Sequence, residues 1–263
     1  MTDDSDPDPF TQLNPEGAAP VVLICDHASH AVPRALGGLG LPPDALRQHI
    51  GWDIGAAEVV GHLARLLDAP AVLSGVSRLV IDCNRALDNP TSIPEESDGV
   101  PVPGNRGLDP AARAARADAW YRPYHRAVET TIAHRRAMGP APAVLSVHSF
   151  TPEMDGFARP WQVGVLWGWD DRIPAPLLAA LRAERDLCVG DNEPYSARDN
   201  VGSSMARHAE RAGLPHALIE LRQDLIATPA GARAWAGRLA RLLSPILADR
   251  SLFAARPAAV AAS

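Results

Sequence analysis

Short runs of Val, Leu and Ile recur along the chain, and each run is bounded by Pro, Gly or polar residues. Because the apolar residues of a run are consecutive rather than alternating, both faces of these segments are expected to be covered, as in the strands of a largely buried sheet. The pattern predicts strands at 20–25, 70–74, 78–82, 143–147, 162–167 and 216–221.

Between these runs, apolar residues recur at helical spacing. The segment 54–67 has this pattern, and Asp53 stands where an N-cap would stand. Asp109 and Thr228 are capping residues that each precede a proline, so each predicts a helix start. Pro123 is expected to kink or end the helix that begins at 110. Strands that alternate with helices predict an α/β fold built on a layered sheet.

The chain has 263 residues, 46% of them hydrophobic, which favours one domain with one large core. We expect residues 1–19 to be a flexible acidic leader, 20–250 to form the domain, and 251–263 to be a frayed Ala/Pro-rich tail. The segment 86–108 is rich in Pro, Asn and acids and predicts a long loop. Such a loop is either a lid or binding loop, or a plain insertion.

Charge and cysteine content narrow the function classes. The net charge is -6 and the basic residues are balanced by acids, which argues against binding of nucleic acid. Three cysteines at wide spacing, with no CxxC pair, predict neither a disulfide framework nor a cysteine-rich zinc site. No apolar run reaches the roughly 18 residues that a membrane span needs, and the start lacks the pattern of a secretory signal. We therefore expect a cytoplasmic protein that acts on a small molecule.

Ionisable and polar residues stand at the carboxyl ends of predicted strands, where open α/β sheets usually bind their ligands. The residues at strand ends are Asp26, His27, Asp82, Asn84, Arg85 and His148. Two further acids are Asp53, at a helix start, and Glu220, on the last strand. Two histidines and a carboxylate from separate elements, with an additional glutamate, match a three-ligand zinc site with a catalytic base. The sequence has no GxSxG elbow, glycine-rich phosphate loop or HExxH helix.

Each of these residues also has a structural interpretation. His27 and His148 could be hydrogen-bonded polar residues at strand ends, and Asp53 could be a helix N-cap. Glu220 lies inside an apolar strand, where an unpaired charge is costly, so it needs a partner such as metal-bound water or an arginine. His30 follows in a loop and is expected at the surface.

Two arginines bracket the predicted strand at 78–82. A guanidinium binds a carboxylate through two parallel hydrogen bonds, so Asn84 and Arg85, with Arg78 nearby, suit a substrate that carries a free carboxylate. The alternative is a structural salt bridge to Asp82 or Asp88. Spacing alone does not separate the two interpretations.

Several motifs in matching order resemble those of the N-formylglutamate amidohydrolase family. They are Cys25–Ser29 (CDHAS), Trp52–Gly55 (WDIG), Ser77–Arg85 (SRLVIDCNR), Val147–Pro152 (VHSFTP), Asn192–Ser196 (NEPYS) and Ile219–Asp224 (IELRQD). The resemblance runs from about Val21 to Leu247. It implies a single-domain, three-layer α/β/α fold with a mixed, mostly parallel sheet, similar to that of zinc carboxypeptidases and other phosphorylase/hydrolase-like proteins.

The resemblance also implies a metal centre. His27 and His148 match the family's histidine ligands, and Asp53 is the best match for its acidic ligand. The expected cofactor is Zn²⁺ or another divalent metal. Glu220 matches the family's general base.

For the substrate, the resemblance implies that Asn84 and Arg85 grip a carboxylate, with Arg78 nearby, and that Tyr195 lies in a loop that closes over the site. The expected reaction is hydrolysis of the amide bond of an N-formyl or short N-acyl amino acid such as N-formylglutamate. The alternatives are hydrolysis of another N-acyl amino acid or a small peptide, and a non-catalytic carboxylate-binding protein of the same fold.

Two departures from the family pattern bear on these expectations. His30 stands where relatives often carry Asn, which offers a second imidazole near His27 as an alternative ligand. The segment 199–205 differs from the Tyr-Thr-containing stretch expected there, so the choice of substrate is expected to differ accordingly.

Overall fold

The computed structural model describes residues 6–197 and 203–254. The strands are β1 (Phe10–Leu13), β2 (Val21–Cys25), β3 (Ala71–Ser74), β4 (Glu96–Ser97), β5 (Val100–Pro101), β6 (Ala143–Phe150), β7 (Glu153–Met154), β8 (Phe157–Ala158), β9 (Val163–Leu166), β10 (Val189–Asp191) and β11 (His216–Arg222). The helices are α1 (Pro43–Leu46), α2 (Ala56–Leu67), α3 (Pro110–Arg116), α4 (Arg122–Met138), α5 (Pro174–Arg182), α6 (Ser204–His208) and α7 (Pro229–Ala248).

The main sheet has seven strands in the order β1-β3-β2-β6-β11-β9-β10. The four strands β3, β2, β6 and β11 are parallel, so their carboxyl ends share one edge. β9 is antiparallel to β11 and parallel to β10, and β1 is antiparallel to β3. The sheet is therefore mixed and mostly parallel, as expected. The pairs β4–β5 and β7–β8 form separate two-stranded hairpins.

Both faces of the sheet are covered because alternate residues of each central strand feed two different cores. Leu23 and Leu145 pack with α2, α5 and α7 on one side. Ile24 and Val144 pack with α4 on the other side. Fully burying a side chain of this size stabilises the folded state by about 1.5–3 kcal/mol. The consecutive apolar runs in the sequence reflect this burial on both faces, and the three-layer α/β/α arrangement is confirmed.

The strand predicted at 78–82 is wrong, whereas the other predicted strands are confirmed. This segment turns instead of extending, because the hydroxyl of Ser77 accepts from the backbone N–H of Leu79 at 3.2 Å and donates to the carbonyl of Gly51 at 2.7 Å. Its apolar residues are still buried in the core on the α4 side. The apolar run at 78–82 therefore indicates burial, although the backbone there is not an extended strand.

Two of the three predicted helix N-caps are confirmed and one is wrong. Asp109 and Thr228 cap α3 and α7 through their side chains, as expected. Asp53 as the N-cap of α2 is wrong, because that helix begins at Ala56 after Gly55, whose φ of 82° suits a residue without a Cβ. The helix that begins at 110 is interrupted before Pro123 by a π-helical turn and then continues as α4.

Two expectations of flexibility are wrong in part. Residues 10–13, inside the segment expected to be a loose leader, form β1 and pair with β3. At the start of the expected tail, which was predicted from 251 onward, a 3₁₀ turn spans Arg250–Phe253, and its Leu252 is buried. The loop 86–108 contains the β4–β5 hairpin, which the sequence did not predict.

Residues 199–202, which are part of the atypical segment 199–205, lie outside the described residues. Within the described ranges, no helix has the length and apolarity needed to span a bilayer.

Candidate active site

Three buried side chains from different elements meet at the carboxyl edge of the parallel strands. His27 follows β2, His148 lies near the end of β6, and Asp53 lies in the loop before α2. One ligand atom from each of the three lies within 4.8 Å of the others. The backbone N–H of Asp53 donates to the carbonyl of His27 at 3.0 Å, which ties the loop to the end of β2.

The two imidazoles present the same ring atom to the shared carboxylate. The Nδ1 atoms of His148 and His27 lie 2.7 and 3.3 Å from Oδ2 of Asp53. The backbone N–H of Ser149 also donates to this oxygen, at 3.3 Å. The carboxylate of Asp53 therefore lies between the rings instead of capping a helix, which settles the choice that its sequence position left open.

The far ring atom of each histidine faces a second carboxylate. Nε2 of His27 lies 2.8 Å from Oδ1 of Asp82, and Nε2 of His148 lies 3.3 Å from Oδ2 of Asp26. Metal-ligating histidines usually have such a partner at the nitrogen that does not bind the ion, because it fixes the tautomer and the ring orientation. A proton held at Nε2 leaves the lone pair of Nδ1 directed at the space between the rings.

The carboxylates of Asp82 and Asp26, which face the far ring atoms of the two histidines, are held in place by hydrogen bonds of their own. Asp82 accepts from Nη2 of Arg78 at 3.0 Å and from the backbone N–H of Asn84 at 2.8 Å. Asp26 accepts from the hydroxyls of Tyr124, at 2.9 Å, and Ser204. The helices α4 and α6 therefore also contribute side chains that hold the site in place.

The electrostatics of the group favour charge separation between acids and imidazoles. Burial favours the neutral forms of Asp26, Asp53 and Asp82, but contacts with the imidazoles outweigh burial and hold the pKa of each carboxyl below its ordinary value. Burial also opposes a charged His148, yet hydrogen bonding to Asp26 and Asp53 raises the pKa of this imidazole well above its ordinary value. The site is built to hold positive charge among carboxylates.

Glu220 lies on β11 beside His148, its register partner on β6, and on the same face of the sheet. It is buried, and its Oε2 has no hydrogen-bond partner among the described residues. Burial raises the pKa of Glu220 to about 7. A carboxyl with a pKa near neutrality can take up and release a proton at physiological pH.

A cavity of about 570 Å³ opens over these residues. It is lined by the residues that the sequence analysis assigned as metal ligands, base or substrate contacts, namely His27, Asp53, Arg78, Asn84, Arg85, His148, Tyr195 and Glu220. The tip of the β4–β5 hairpin also reaches the cavity with Asp98, whose Oδ2 lies 2.8 Å from Nε2 of His49. Volumes of this order are typical of sites for small molecules.

His30 does not join the group. Its ring lies against that of Trp52, with centroids 5.0 Å apart, and it is not among the three residues whose ligand atoms converge. Arg78 combines both interpretations given above, because it lines the cavity and also pairs with Asp82.

Sequence reasoning missed the supporting residues. Asp26 and Asp82 stood at the predicted strand ends, but nothing in their spacing assigned each to one histidine. Ser204 appeared only within the atypical segment 199–205, and the structure brings its hydroxyl to Asp26. Arg159, which donates to the hydroxyl of Tyr195, gave no signal because it lies outside every motif.

The fold and the site define an α/β protein with a buried His–Asp–His group at the carboxyl edge of its parallel strands. The family model of N-formylglutamate amidohydrolase matches residues 19–227. The chain therefore belongs to the N-formylglutamate amidohydrolase family, and with it to the amidohydrolases.

Solved structures that are similar to this chain include two that match it over most of its length. The gene product Atu2144 from Agrobacterium tumefaciens is 38% identical, with a TM-score of 0.87 over 90% of this chain and 94% of the other. An N-formylglutamate amidohydrolase from Ralstonia eutropha JMP134 is 23% identical, with a TM-score of 0.67 over 91% of this chain and 95% of the other, and shows the same fold. None of the curated proteins compared with the chain matches it.

Proposed function

We propose that the protein is a metal-dependent amidohydrolase that cleaves the amide bond of an N-formyl or short N-acyl amino acid, such as N-formylglutamate, and releases formate or the corresponding acid. One observation carries the proposal. The Nδ1 atoms of His27 and His148 converge with the carboxylate of Asp53 in a cavity that also exposes Glu220.

The donor set fits a divalent ion. Two imidazoles and one carboxylate are a common protein ligand set for catalytic Zn²⁺, which keeps a further position open. The carboxylates of Asp26 and Asp82 at the far ring atoms support the fit, because they orient both imidazoles. When bound, a divalent ion supplies a Lewis acid for the substrate carbonyl and lowers the pKa of water toward about 7.

Glu220 is the proton carrier of the proposed reaction. Its unpartnered Oε2 takes a proton from the attacking water and returns it to the nitrogen of the leaving amine. General acid–base catalysis of this kind contributes about 10²- to 10⁴-fold in rate. Burial of Glu220 within the apolar strand β11 disfavours its charged form and raises its pKa to about 7, which suits both the basic and the acidic step.

Three side chains of the cavity suit the substrate's own carboxylate. Asn84 and Arg85 stand together at one wall, and the amide oxygen of Asn84 accepts from the backbone N–H of Ser204 at 2.9 Å, which fixes its orientation. Arg78 is held in place by Asp82. A guanidinium that grips a carboxylate fixes the amide carbon relative to the ligand group and so lowers the entropic cost of reaction.

A larger N-acyl amino acid remains the second candidate, because a cavity of about 570 Å³ exceeds what a formyl group needs. A panel of N-formyl, N-acetyl and longer N-acyl amino acids, each with an acidic, a neutral or a basic side chain, ranks these substrates by kcat/KM. Hydrolysis of none of them would instead favour the non-catalytic carboxylate-binding alternative.

The metal is tested by elemental analysis of the purified protein. We expect close to one divalent ion per chain in the wild type and loss of most of it, together with activity, in His148→Ala. The matched control is His134→Ala, which removes an exposed histidine of α4 and should keep both. A wild-type protein that hydrolyses the panel at full rate after complete removal of metal would contradict the proposal.

A further inference from the structure

Arg159, directly after β8, is a buried cation that has no acidic partner among residues 6–197 and 203–254. Only 7% of the residue is exposed, and no carboxylate lies within ion-pair distance of it in the described parts of the chain. Burying an unpaired charge is costly, so this arginine needs other partners. The hydroxyl of Thr151 accepts from its Nη1 at 3.2 Å, and Nη2 contacts the sulfur of Met154.

The guanidinium also contacts the carbonyl of Thr151 at 3.4 Å and the ring of Phe150, whose centre lies 5.8 Å from Cζ. A further partner is Tyr195, at the cavity wall. Nη1 of Arg159 donates to the hydroxyl oxygen of Tyr195 at 3.1 Å, and its Cζ lies 5.0 Å from the centre of the tyrosine ring. Contacts through both the hydroxyl and the ring face fix the position and the orientation of this side chain. Tyr195 is 41% exposed, so without these contacts it would be free to move.

The direction of this hydrogen bond determines what Tyr195 can do. A guanidinium has only donors, so the hydroxyl oxygen must accept, and the phenolic proton points elsewhere. Among the described residues no group accepts that proton, and Tyr195 lines the same cavity as His148 and Glu220. Burial raises the pKa of Tyr195, which keeps the phenol protonated at neutral pH. The structure thus presents an oriented hydrogen-bond donor to the cavity.

We infer that the hydroxyl of Tyr195 donates a hydrogen bond to the substrate oxygen that gains negative charge as the amide carbon becomes tetrahedral, and that Arg159 is the positioning residue that fixes this donor. The inference rests on the proposed function. The proton stays on the phenolic oxygen throughout, and the positive charge of Arg159 strengthens the donor. A preorganised donor of this kind acts on the transition state more than on the bound substrate.

The test is a double-mutant cycle with a structural control. Tyr195→Phe should lower kcat by about 10²-fold, with a much smaller change in KM. Arg159→Met should lower kcat by about tenfold or more in the wild-type background, and should have no further effect in the Tyr195→Phe background. If Arg159→Met does not fold, Arg159→Lys replaces it. The ammonium lacks the planar guanidinium, so the loss of kcat should be smaller and should again be absent in the Tyr195→Phe background.

The matched control is Arg222→Met. Arg222 donates to the backbone carbonyl of Arg159 at 3.3 Å, so it contacts the same segment without contacting Tyr195. This variant should keep the wild-type kcat. Independent effects of Arg159 and Tyr195 on kcat would overturn the positioning role. A Tyr195→Phe variant that raises KM and keeps kcat would overturn the transition-state role, because it would indicate ground-state binding of the substrate.

A spectroscopic readout separates failure of this inference from failure of the proposed function. The chain has three tyrosines, so 3-fluorotyrosine labelling gives few ¹⁹F resonances, and Tyr195→Phe assigns one of them. That resonance should shift in Arg159→Met and not in Arg222→Met, with or without activity. An unshifted resonance would overturn the contact itself. A wild type that hydrolyses no amide would remove the proposed function and the role of Tyr195 together, whatever the resonance shows.

Discussion

Two pairs of buried histidine rings lie at nearly the same separation in this molecule. The centroids of His27 and His148 are 4.9 Å apart, and those of His125 and His208 are 5.0 Å apart. Both pairs join elements that are distant in the sequence. Ring separation and burial are therefore shared, and what differs is the set of neighbours around each pair.

Carboxylates surround the first pair. Asp53 lies between the rings of His27 and His148, and a further carboxylate stands at the far nitrogen of each ring. The acids raise the pKa of both imidazoles against the effect of burial and Arg78. These surroundings suit a bound cation.

Aromatic rings surround the second pair. Nδ1 of His125 lies 2.7 Å from Nε2 of His208, and the rings of Tyr121 and Tyr124 pack against His125. Burial lowers the pKa of His125 to about 3 and that of His208 to about 4, so both stay neutral. A pair of close, buried imidazoles therefore becomes a candidate metal site through the acids around it.

The largest effect is expected at Glu220, the acid next to the first pair. Glu220→Gln keeps the shape of the side chain and removes the basic oxygen, so we expect kcat to fall by about 10²- to 10⁴-fold while the metal content is unchanged. Steady-state kinetics and elemental analysis on the same preparation measure both quantities. Glu129→Gln, an exposed change on α4, is the control and should leave both unaltered. Retention of the wild-type rate in Glu220→Gln would reject this residue as the base.

A smaller effect is expected from the carboxylate behind His27. Asp82→Asn keeps an oxygen near Nε2 but removes the negative charge, so the affinity for metal should fall by about 10- to 100-fold. Competition with a chelator of known affinity measures the loss. The parallel change Asp118→Asn, at an exposed acid before α4, should leave the affinity unaltered. Equal affinities of Asp82→Asn and the wild type would indicate that this contact is structural only.

The smallest effect is expected at the second pair, and it depends on pH. The folded-state pKa values of His125 and His208 lie below the unfolded value of about 6.5, so between about pH 6.5 and 4 only the unfolded chain takes up these protons. Their contribution to the free energy of unfolding is therefore constant above about pH 6.5 and falls as the pH is lowered. Glu220 titrates in the opposite sense in this window, so wild type and variant must be compared at each pH.

His208→Gln provides that comparison, because glutamine keeps a hydrogen-bonding group next to His125 without titrating. We expect the wild type to lose about 1–3 kcal/mol more of its free energy of unfolding than this variant between pH 7 and pH 4.5. Urea unfolding at the two pH values measures the difference. Parallel losses in both proteins would show that His208 is not held neutral by its surroundings.

The sequence predicted the central strands because they are buried on both faces, which makes them apolar throughout. The same signal failed at 78–82, where burial accompanies a turn set by Ser77. Local pattern reports burial reliably, but extension depends on hydrogen bonds to residues elsewhere, here to Gly51. For the same reason the pairing of residues 10–13 with β3 had no local signature.

In the site, too, some residues had a local signal in the sequence and others did not. His27 and His148 stood out by their positions at strand ends, and the resemblance to a family selected Asp53 from the candidate acids as the partner of these histidines. The assignment of Asp26 to one ring and the contact of Arg159 with Tyr195 were not predictable. These contacts join residues far apart in the chain, and no spacing rule connects a backing carboxylate with the histidine that it orients.

The proposed function requires that Nδ1 of His27, Nδ1 of His148 and the carboxylate of Asp53 together hold a divalent ion. Anomalous diffraction at the zinc absorption edge, from crystals of the purified protein, tests it most directly. We expect a single strong peak about 2.0–2.2 Å from Nδ1 of His27, Nδ1 of His148 and a carboxylate oxygen of Asp53. A zinc ion bound through the Nε2 atoms, or at any site away from these residues, would contradict the account.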